Sequence, residues 1–408
     1  MTDTVATPAA LPLRRTGFAA LWTGDLVSQL GSQITLFVLP LLAVTALHAD
    51  GGQVGLLQAL YLAPVVLVPL VGGLWLERRA KRPVMITLDL VRAVLVTSIP
   101  LLWLTGTASL TLVYVVAFAG GSMSVLCDIA ATSYVPHLVP GEQLASANGA
   151  LSANQATGAA IGPAVAGWLA GAFGPVALLF DALTYVFSAV ALAGVRHREP
   201  IPARPARRDL RRELRDGFTA VWGEPRLRAL VLHAALYNAS IELVTVGFLV
   251  YFVRDLGHSG AAYGVLMAIA GAGAVTGALL GPRLLGRVGY GPAAVTGLAF
   301  STTGYVLLPT GVPVLCGITF FLATAGAVST SVVAVTLRQR LTPPELYARV
   351  NATYRLLGSG TLPFGAGAAG LIVDAFGART ALWAAPVALV CSTLPVLTSS
   401  LPRTRKVP

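Results

Sequence analysis

The sequence contains few charged residues. Only 11% of its 408 residues are Asp, Glu, Lys or Arg, whereas 55% are hydrophobic, and the mean hydropathy is +0.76. A soluble globular chain carries roughly 25% charged residues, so this composition excludes an ordinary soluble domain and indicates a membrane protein. The net charge of +11 does not indicate nucleic-acid binding, because the bases stand at the ends of apolar segments. We therefore expect no nucleic-acid partner.

Cysteine and histidine are also sparse. Cys127, Cys316 and Cys391 all fall inside apolar segments, which argues against a disulfide framework and favours inert packing residues. The five histidines are scattered without metal-ligand spacing, and neither a nucleophile elbow nor a Walker loop occurs. These absences argue against ATP-driven transport and against a catalytic pair, and we expect no enzyme, no cofactor and no metal site.

Long apolar runs make up most of the chain. A helix needs about 20 apolar residues to cross roughly 30 Å of hydrocarbon. Twelve such spans are predicted, at 17–46, 53–76, 84–104, 109–132, 145–170, 176–195, 228–253, 261–283, 290–309, 313–335, 350–372 and 378–400. The predicted fold is an all-α membrane protein with twelve transmembrane helices. The predicted domains are a tail, a six-helix bundle, a basic linker, a second six-helix bundle and a tail, at 1–16, 17–195, 196–227, 228–400 and 401–408.

The loops between the spans alternate in charge. Bases cluster before span 1, between spans 2 and 3, in the long central linker and after span 12, whereas the opposite loops hold only Arg254 and Arg379. The positive-inside rule therefore places both termini in the cytoplasm, as an even span number also requires. We expect the plasma membrane of a bacterium.

The central linker contains a periodic pattern. Leu210, Leu214, Phe218 and Val221 recur at helical intervals, with arginines on the other faces. This pattern predicts a basic amphipathic helix lying on the inner leaflet of the bilayer. A solvated linker helix is the alternative.

The two halves of the chain resemble each other. A shift of 203 residues places "PGEQLASANG" (140–149) over "PPELYARVNA" (343–352), and it pairs Gly162 with Gly365 and Gly167 with Gly370. Chance similarity between apolar runs rarely includes Pro, Glu, Asn and Gly together. A repeat of two six-span halves predicts a transporter whose halves rock about a midplane site.

Charged residues cluster near the predicted cytoplasmic ends of spans 2 to 4. The loop "GGLWLERRAKRP" (72–83) places an acid among bases, and span 3 carries an acid and a base one turn apart. Buried charges are expensive in a membrane and are normally paired. We predict a network that latches one conformation, formed by Glu77, Arg78, Asp89, Arg92 and Asp128. Static ion pairing that serves only topology is the alternative.

Span 5 contains an unusual concentration of helix-weakening residues, Gly158, Gly162, Pro163 and Gly167. Small residues four apart clear a groove in which another helix can approach closely. Proline removes a backbone donor and kinks a helix. The combination favours a conformational role, although a plain packing groove would explain the glycines alone.

Polar stripes run along three otherwise apolar spans. Span 1 carries polar residues at i, i+3, i+4 and i+7, span 7 repeats this spacing, and span 4 carries a shorter stripe. We predict that these stripes face a substrate cavity. The cavity candidates are Ser28, Gln29, Ser32, Gln33, Ser124, Asn238 and Thr245.

Three embedded acids are candidates for proton coupling. Glu242 ranks first, because it lies roughly 21 Å along span 7, near mid-membrane, with no base inside the span to pair with. Such a carboxyl group could exchange protons near neutral pH. Asp25 ranks second and Asp181 third. A neutral Glu242 hydrogen-bonded to Asn238 or Gln33, and a helix-start role for Asp25, are the alternatives.

The chain resembles the major facilitator superfamily over essentially its whole length. The 72–83 loop sits where that superfamily carries G-x-x-x-D-R-x-G-R-[KR], with Glu77 in place of Asp and Ala80 in place of the second Gly. The Gly158–Gly167 pattern is similar to its antiporter motif. "LWTGDLVSQLGSQITLFVLPLLA" (21–43) and "SYVPHLVPGEQLASANG" (133–149) resemble the drug:proton antiporter-3 branch, which includes macrolide, multidrug and enterobactin exporters.

The resemblance implies a central cavity lined by spans 1, 4, 7 and 10. One departure concerns the buried arginine that many proton-coupled members carry in span 4, because no Lys or Arg occurs between Arg92 and Arg196. We expect an exporter of an amphipathic small molecule, such as an antibiotic or a siderophore, driven by proton influx. Its expected partners are that molecule, protons and the lipid bilayer, and we expect a monomer. A uniporter or symporter for a nutrient or lysolipid, or a sensor that transports nothing, are the alternatives.

Overall fold

A computed structural model describes residues 16–77, 79–195 and 210–404, and their secondary structure is helical. The helices are α1 (Thr16–Thr45), α2 (Gly51–Glu77), α3 (Lys81–Leu104), α4 (Leu110–Leu138), α5 (Leu144–Phe173), α6 (Leu178–Ala193), α7 (Leu210–Gly223), α8 (Pro225–Leu249), α9 (Gly260–Val288), α10 (Tyr290–Thr303), α11 (Pro313–Leu341), α12 (Pro344–Ser359), α13 (Leu362–Phe376), α14 (Ala378–Ser392) and α15 (Leu394–Leu397).

The predicted all-α membrane fold is confirmed. Ten helical segments are long and apolar enough to cross a membrane in the part of the chain that the structure describes. One of them, Gly141–Ala193, contains both α5 and α6. Its 53 residues would extend about 80 Å as one helix, which is enough for two crossings. A 3₁₀ segment, Gly304–Thr310, lengthens the short α10. A helix therefore stands at each of the twelve predicted spans.

The chain divides into two compact units that differ from the predicted halves. Unit 1 contains the described residues up to 39 and from 67 to 195, and unit 2 contains 40–66 and 210–404. The division falls inside α1 at Pro40 and inside α2 at Leu67. The second part of α1 and the first part of α2 thus cluster with the helices of unit 2.

The helices bury polar side chains and expose apolar ones, as a membrane requires. In α6, Leu183 and Val190 are about two-thirds exposed, whereas Asp181, Tyr185 and Ser188 are buried. In water this arrangement would be unfavourable, but hydrocarbon reverses the preference, and embedded polar groups then face the bundle interior. The buried face of α6 therefore marks where the polar interior of unit 1 lies.

Two glycines bring α1 close to α6 in unit 1. A Cβ atom at Gly24 would lie 3.2 Å from Ser188 Oγ, and one at Gly31 would collide with Thr184. Without side chains at these positions, the two helices approach closely. The polar stripe of α1 is thereby held against the buried face of α6.

In unit 2 a row of glycines on α9 packs against the backbone of α11. Cβ atoms at Gly273 and Gly277 would collide with the carbonyl oxygens of Phe321 and Ala325, and one at Gly281 would lie 3.2 Å from Ser329 Cα. Glycines spaced four residues apart permit this close approach. The α9–α11 contact is the most extensive helix pairing in the described part of unit 2.

The predicted linker helix is present as α7. Its Asp216 side chain forms an ion pair with Arg349 of α12 at 2.7 Å, and a Cβ atom at Gly217 would collide with Thr353. Phe218 remains exposed and stacks on Trp222, with ring centroids 4.3 Å apart. The side chains of Leu210 and Leu214 lie outside the described residues. Adsorption of α7 to the inner leaflet stays a prediction.

The junction between α7 and α8 is closed by a cap. The Glu224 carboxylate accepts hydrogen bonds from the backbone N–H and the Nε–H of Arg226, at 3.3 and 2.7 Å. Capping satisfies a free amide at the start of a helix. The hydrogen bond from Arg226 lowers the pKa of Glu224 below its usual value.

Span 11 is interrupted between α12 and α13. The helix stops at Ser359, and a new helix begins at Leu362 with Pro363 in its first turn. The carbonyl of Gly358 near the interruption accepts hydrogen bonds from Asn238 Nδ2 at 3.0 Å and Thr361 Oγ1 at 2.9 Å. Side chains thus satisfy a backbone group beside the break, which hydrocarbon could not do.

The α9–α11 contact predicts the effect of adding a methyl group. We expect Gly277→Ala to lower the free energy of unfolding by about 1–3 kcal/mol, because the methyl group meets backbone atoms that cannot turn aside. Thermal melting of the detergent-purified protein measures the change. Gly286→Ala is the matched control, because a Cβ atom at this position of α9 meets nothing within 4 Å. Equal melting temperatures for the two variants would contradict the prediction.

Candidate functional site

A polar pocket lies inside unit 1, between α1, α3, α4 and α6. About 400 Å³ of empty space lies in it, and part of this space is open to the surroundings. Leu21, Met85, Ala131 and Leu192 form its apolar wall. Its polar lining consists of Asp25, Ser28, Gln29, Ser32, Asp89, Arg92, Ser124, Cys127, Asp128 and Ser188. The pocket therefore collects the predicted cavity residues Ser28, Gln29, Ser32 and Ser124 together with acids from spans 1, 3 and 4, whereas the predicted Gln33 does not line it.

Arg92 occupies the centre of the polar lining, and its side chain is almost fully buried. Its Nη1 forms an ion pair with Asp89 Oδ1 at 3.2 Å. Its Nη2 donates to Ser32 Oγ of α1 at 3.0 Å and to Ser124 Oγ of α4 at 3.4 Å. The guanidinium also lies over the ring of Tyr185, 3.8 Å from its centroid. One side chain of α3 thus connects to α1, α4 and α6.

Two further carboxylates are joined by one amide. Gln29 Nε2 lies 3.5 Å from Asp25 Oδ1 and 3.4 Å from Asp128 Oδ1. Asn154 of α5 donates to the other oxygen of Asp25 at 2.7 Å and to the carbonyl of Trp22 at 2.9 Å. The pocket thus contains three carboxylates and one guanidinium. The carboxylates outnumber the guanidinium, so additional positive charge can be bound, either as protons on the carboxylates or as a cationic group.

Asp181 lies on the same face of α6 as Tyr185 and Ser188 and is fully buried. Its carboxylate accepts hydrogen bonds from Thr35 of α1 and from Thr184 Oγ1, the latter at 3.2 Å. The Tyr185 hydroxyl also hydrogen-bonds to this carboxylate. Asp181 is therefore held by hydroxyl groups of α1 and α6, outside the lining of the pocket.

Glu242 lies in unit 2, on α8, and is 4% exposed. Its Oε2 atom has no hydrogen-bond partner among the described residues. Asn238, one turn earlier, donates its amide to the Gly358 carbonyl, and Thr245 Oγ1 donates to the backbone of Ile241. The structure therefore does not show the alternative hydrogen bond between Asn238 and Glu242.

The predicted latch residues are partly accounted for. Asp89, Arg92 and Asp128 all line the pocket, and the first two form the expected ion pair. Arg78 and the side chain of Glu77 lie outside the described residues. In the first turn of α3, Arg82 donates to the carbonyls of Leu192 and Ala193 at the end of α6, at 2.8 and 2.6 Å. A latch function stays a prediction.

The glycine groove of α5 is occupied by α1. A Cβ atom at Gly158 would lie 3.3 Å from the Gln29 carbonyl oxygen, and one at Gly162 would collide with the Gln33 side chain. Pro163 and Gly167 continue the same uninterrupted helix. Gly365 of α13, which pairs with Gly162 in the internal repeat, also packs closely against a neighbouring helix. A Cβ atom at Gly365 would lie 2.5 Å from the carbonyl oxygen of Ala239 in α8.

Several site residues were missed at the level of sequence. They are Thr35, Cys127, Asn154, Tyr185 and Ser188. Tyr185 and Ser188 follow Asp181 at i+4 and i+7, the same spacing that marks span 1, so a polar stripe in span 6 could have revealed them. Cys127 lines the pocket, with its sulfur 3.9 Å from Asp89 Oδ1. Within the described ranges no group of three or more His, Cys, Asp or Glu side chains could hold a metal ion.

Solved transporter structures share this fold. The chain superposes on a variant of the nucleoside transporter NupG with a TM-score of 0.77 and 14% identity, covering 93% of this chain and 98% of that one. It superposes on a bacterial homologue of the human lysosomal transporter Spinster with a TM-score of 0.72 and 15% identity, covering 98% and 100%. A bacterial homologue of the iron transporter ferroportin, captured facing inward, gives 0.69 and 18% over 94% and 99%.

Sequence comparison reaches the same family. The chain is 29% identical over 245 residues to the uncharacterized MFS-type transporter y4rN of Sinorhizobium fredii, an alignment that spans 59% of this chain and 60% of the relative. The family model of the Major Facilitator Superfamily matches residues 21–359 and, separately, residues 234–408. An all-helical membrane fold, an internal repeat and these matches lead to one conclusion: the chain belongs to the Major Facilitator Superfamily, a family of multi-pass membrane transporters.

Proposed function

We propose that this protein is a secondary active transporter of the bacterial inner membrane, with both termini in the cytoplasm. It exports an amphipathic small molecule in exchange for protons by alternating access. The observation that carries the proposal is the pocket of unit 1, where three carboxylates and one guanidinium are embedded among apolar helices. Embedded acids in excess of bases are typical of proton and cation pathways.

The pocket suits a molecule with a positive charge and an apolar body. The amides of Gln29 and Asn154 hydrogen-bond to Asp25, and the same Gln29 amide also lies against Asp128. A cationic group of the substrate can stand beside these carboxylates while its apolar part lies against Leu21 and Met85. Proton binding at the same carboxylates removes the charge that attracts the cation.

Glu242 is the first candidate for the coupling proton. A buried carboxylate without a partner is unfavourable in a membrane, whereas the neutral acid is tolerated. The burial of Glu242 and the free Oε2 atom support a group that is neutral while buried and loses its proton when water reaches it.

Arg92 supplies the cation that span 4 lacks. Its guanidinium hydrogen-bonds to Ser124 of α4 although its backbone belongs to α3. The absence of Lys and Arg from span 4 therefore does not leave the cavity without a base. A guanidinium keeps its proton at any physiological pH, so Arg92 provides a constant charge against which the carboxylates titrate.

The first prediction concerns Glu242. In everted vesicles with an acidic interior, wild-type protein should dissipate the pH gradient when a transported antibiotic or siderophore from a panel is added. Glu242→Gln should abolish this dissipation, because the amide cannot carry a proton. Glu142→Gln, which removes an exposed loop carboxylate, is the matched control and should behave like wild type. Undiminished dissipation in Glu242→Gln would remove Glu242 from the mechanism.

The same assay separates the alternatives. If no compound dissipates the gradient while substrate accumulates independently of it, the protein is a uniporter and the embedded acids are structural. If no compound from the panel is transported in either direction, the sensor or scaffold alternative gains support.

The second prediction concerns substrate charge. Asp25→Asn should raise the KM for a cationic substrate by roughly tenfold, equivalent to about 1.4 kcal/mol, because one of the pocket's negative charges is lost. The KM for a neutral analogue of the same scaffold should hardly change. Efflux rates at a series of concentrations measure both, with Asp255→Asn, outside the pocket, as the control. Equal effects on the two analogues would show that Asp25 does not recognise charge.

The third prediction concerns Pro163. Pro163→Ala should slow transport while leaving stability unchanged or raising it by up to about 3 kcal/mol, because alanine is the better helix former. Thermal melting and efflux measured on one preparation give both quantities. A stabilised Pro163→Ala variant with full activity would show that the glycines and the proline of α5 serve only helix packing.

A further inference from the structure

We propose that the hydroxyl groups of Tyr185 and Ser32 relay protons between the buried carboxyl group of Asp181 and the pocket of unit 1. The relay rests on the proton coupling proposed above, and it adds a route by which a carboxyl group outside the pocket lining exchanges protons with it. Tyr185 is thereby assigned a function in coupling that the sequence pattern did not suggest.

The relay is a continuous chain of hydrogen bonds. Asp181 is fully buried and hydrogen-bonds to the hydroxyl of Tyr185, one turn further along α6. The Tyr185 hydroxyl lies 3.1 Å from Ser32 Oγ of α1. Ser32 in turn lines the pocket. Two hydroxyl groups therefore separate a carboxyl group without solvent contact from a space that can hold water.

Each member has the chemistry that a proton relay needs. A hydroxyl group both donates and accepts a hydrogen bond, so it can take a proton on one side and release its own on the other. The Asp181 proton passes to Tyr185, the tyrosine proton passes to Ser32 Oγ, and the serine proton passes to water in the pocket. Asp181 becomes a carboxylate, the pocket water that takes the proton becomes hydronium, and both hydroxyl groups are restored.

Serine must turn to complete the transfer. Ser32 Oγ donates to the Ser28 carbonyl at 2.8 Å and accepts from Arg92 Nη2 at 3.0 Å. When the Ser32 hydroxyl rotates away from the Ser28 carbonyl toward the pocket, its proton is presented to water. The rotation breaks one side-chain to backbone contact and moves no helix.

The charges around the relay favour proton movement. Arg92 approaches from α3 and lies over the Tyr185 ring, with Asp89 of α3 and Cys127 of α4 beside the guanidinium. From α1, Thr35 and Ser32 contribute only hydroxyl groups. The fixed cation stabilises the negative charge that remains on Asp181 after its proton has left. Arg92 itself carries no proton through the relay, because it stays protonated.

Holding Asp181 in place does not require the tyrosine hydroxyl. Thr35 and Thr184 already donate to its two oxygens. The Tyr185 ring, not its hydroxyl, makes the contact with the Arg92 guanidinium. A variant that lacks only the Tyr185 hydroxyl group therefore interrupts the relay and keeps the packing of the ring.

The test is Tyr185→Phe, which keeps the ring under Arg92. With the panel compound that wild-type protein exports, proton-driven efflux should slow by about tenfold or more, since a positioned proton-transfer group contributes factors of this size and larger. Counterflow, in which labelled and unlabelled substrate exchange at equal pH, should keep its wild-type rate because no net proton moves. Tyr134→Phe, which removes the hydroxyl group of a buried tyrosine of unit 1 outside the relay, should keep the wild-type rates of both efflux and counterflow.

The outcomes are distinguishable. Wild-type efflux in Tyr185→Phe, with coupling intact in the wild type, would overturn the relay and leave the proposed function standing. Loss of counterflow together with efflux would also overturn it, since Tyr185 would then act on packing or substrate binding. Wild-type protein that never couples substrate to protons would refute the proposed function, and the relay with it.

Discussion

The burial of the Arg92 guanidinium is the constraint on which the organisation of unit 1 depends. A charge embedded in a membrane bundle requires partners in every direction. Asp89 supplies the counter-charge, hydroxyl groups of Ser32 and Ser124 accept from it, and the face of Tyr185 covers it. These partners come from four helices, so their mutual positions cannot vary independently. Because Gly24 and Gly31 have no side chains, α1 comes close enough to α6 for Ser32 to reach Arg92.

The internal repeat preserves packing more closely than chemistry. Gly162 of α5 lies against α1, and its counterpart Gly365 of α13 lies against α8, the first span of the second half. The buried charged groups described in unit 2 are arranged differently, however. Its buried acid Glu242 has a free oxygen, and Asn238 and Thr361 serve the backbone beside the interruption of span 11. Glycine contacts are a requirement of the fold and recur in both halves, whereas embedded charges are costly and differ between the halves.

Much of this architecture was readable from local patterns. Twelve apolar runs, the amphipathic spacing around Phe218 and the glycines of span 5 each report on one helix and its immediate surroundings. The ion pair of Asp89 and Arg92 was readable for the same reason, because side chains three residues apart meet on one helix face. The polar stripe of span 1 lies on one helix face, since a 3.6-residue period specifies a face, and its residues line the pocket. The interruption of span 11 was not anticipated, although Gly360 and Pro363 flank it.

The sequence by itself determined which segments cross the membrane, which face of each helix is polar and which family the chain resembles. Only the tertiary structure decided which polar faces meet. It brought Arg92 of α3 beside Ser124 of α4, supplied Asn154 to Asp25, joined Tyr185 to Ser32, and left Glu242 without a bond from Asn238. The physical reason is that periodicity gives the direction of a side chain on its own helix. The neighbour that it meets depends on interhelical distances, which glycines far away in the sequence set.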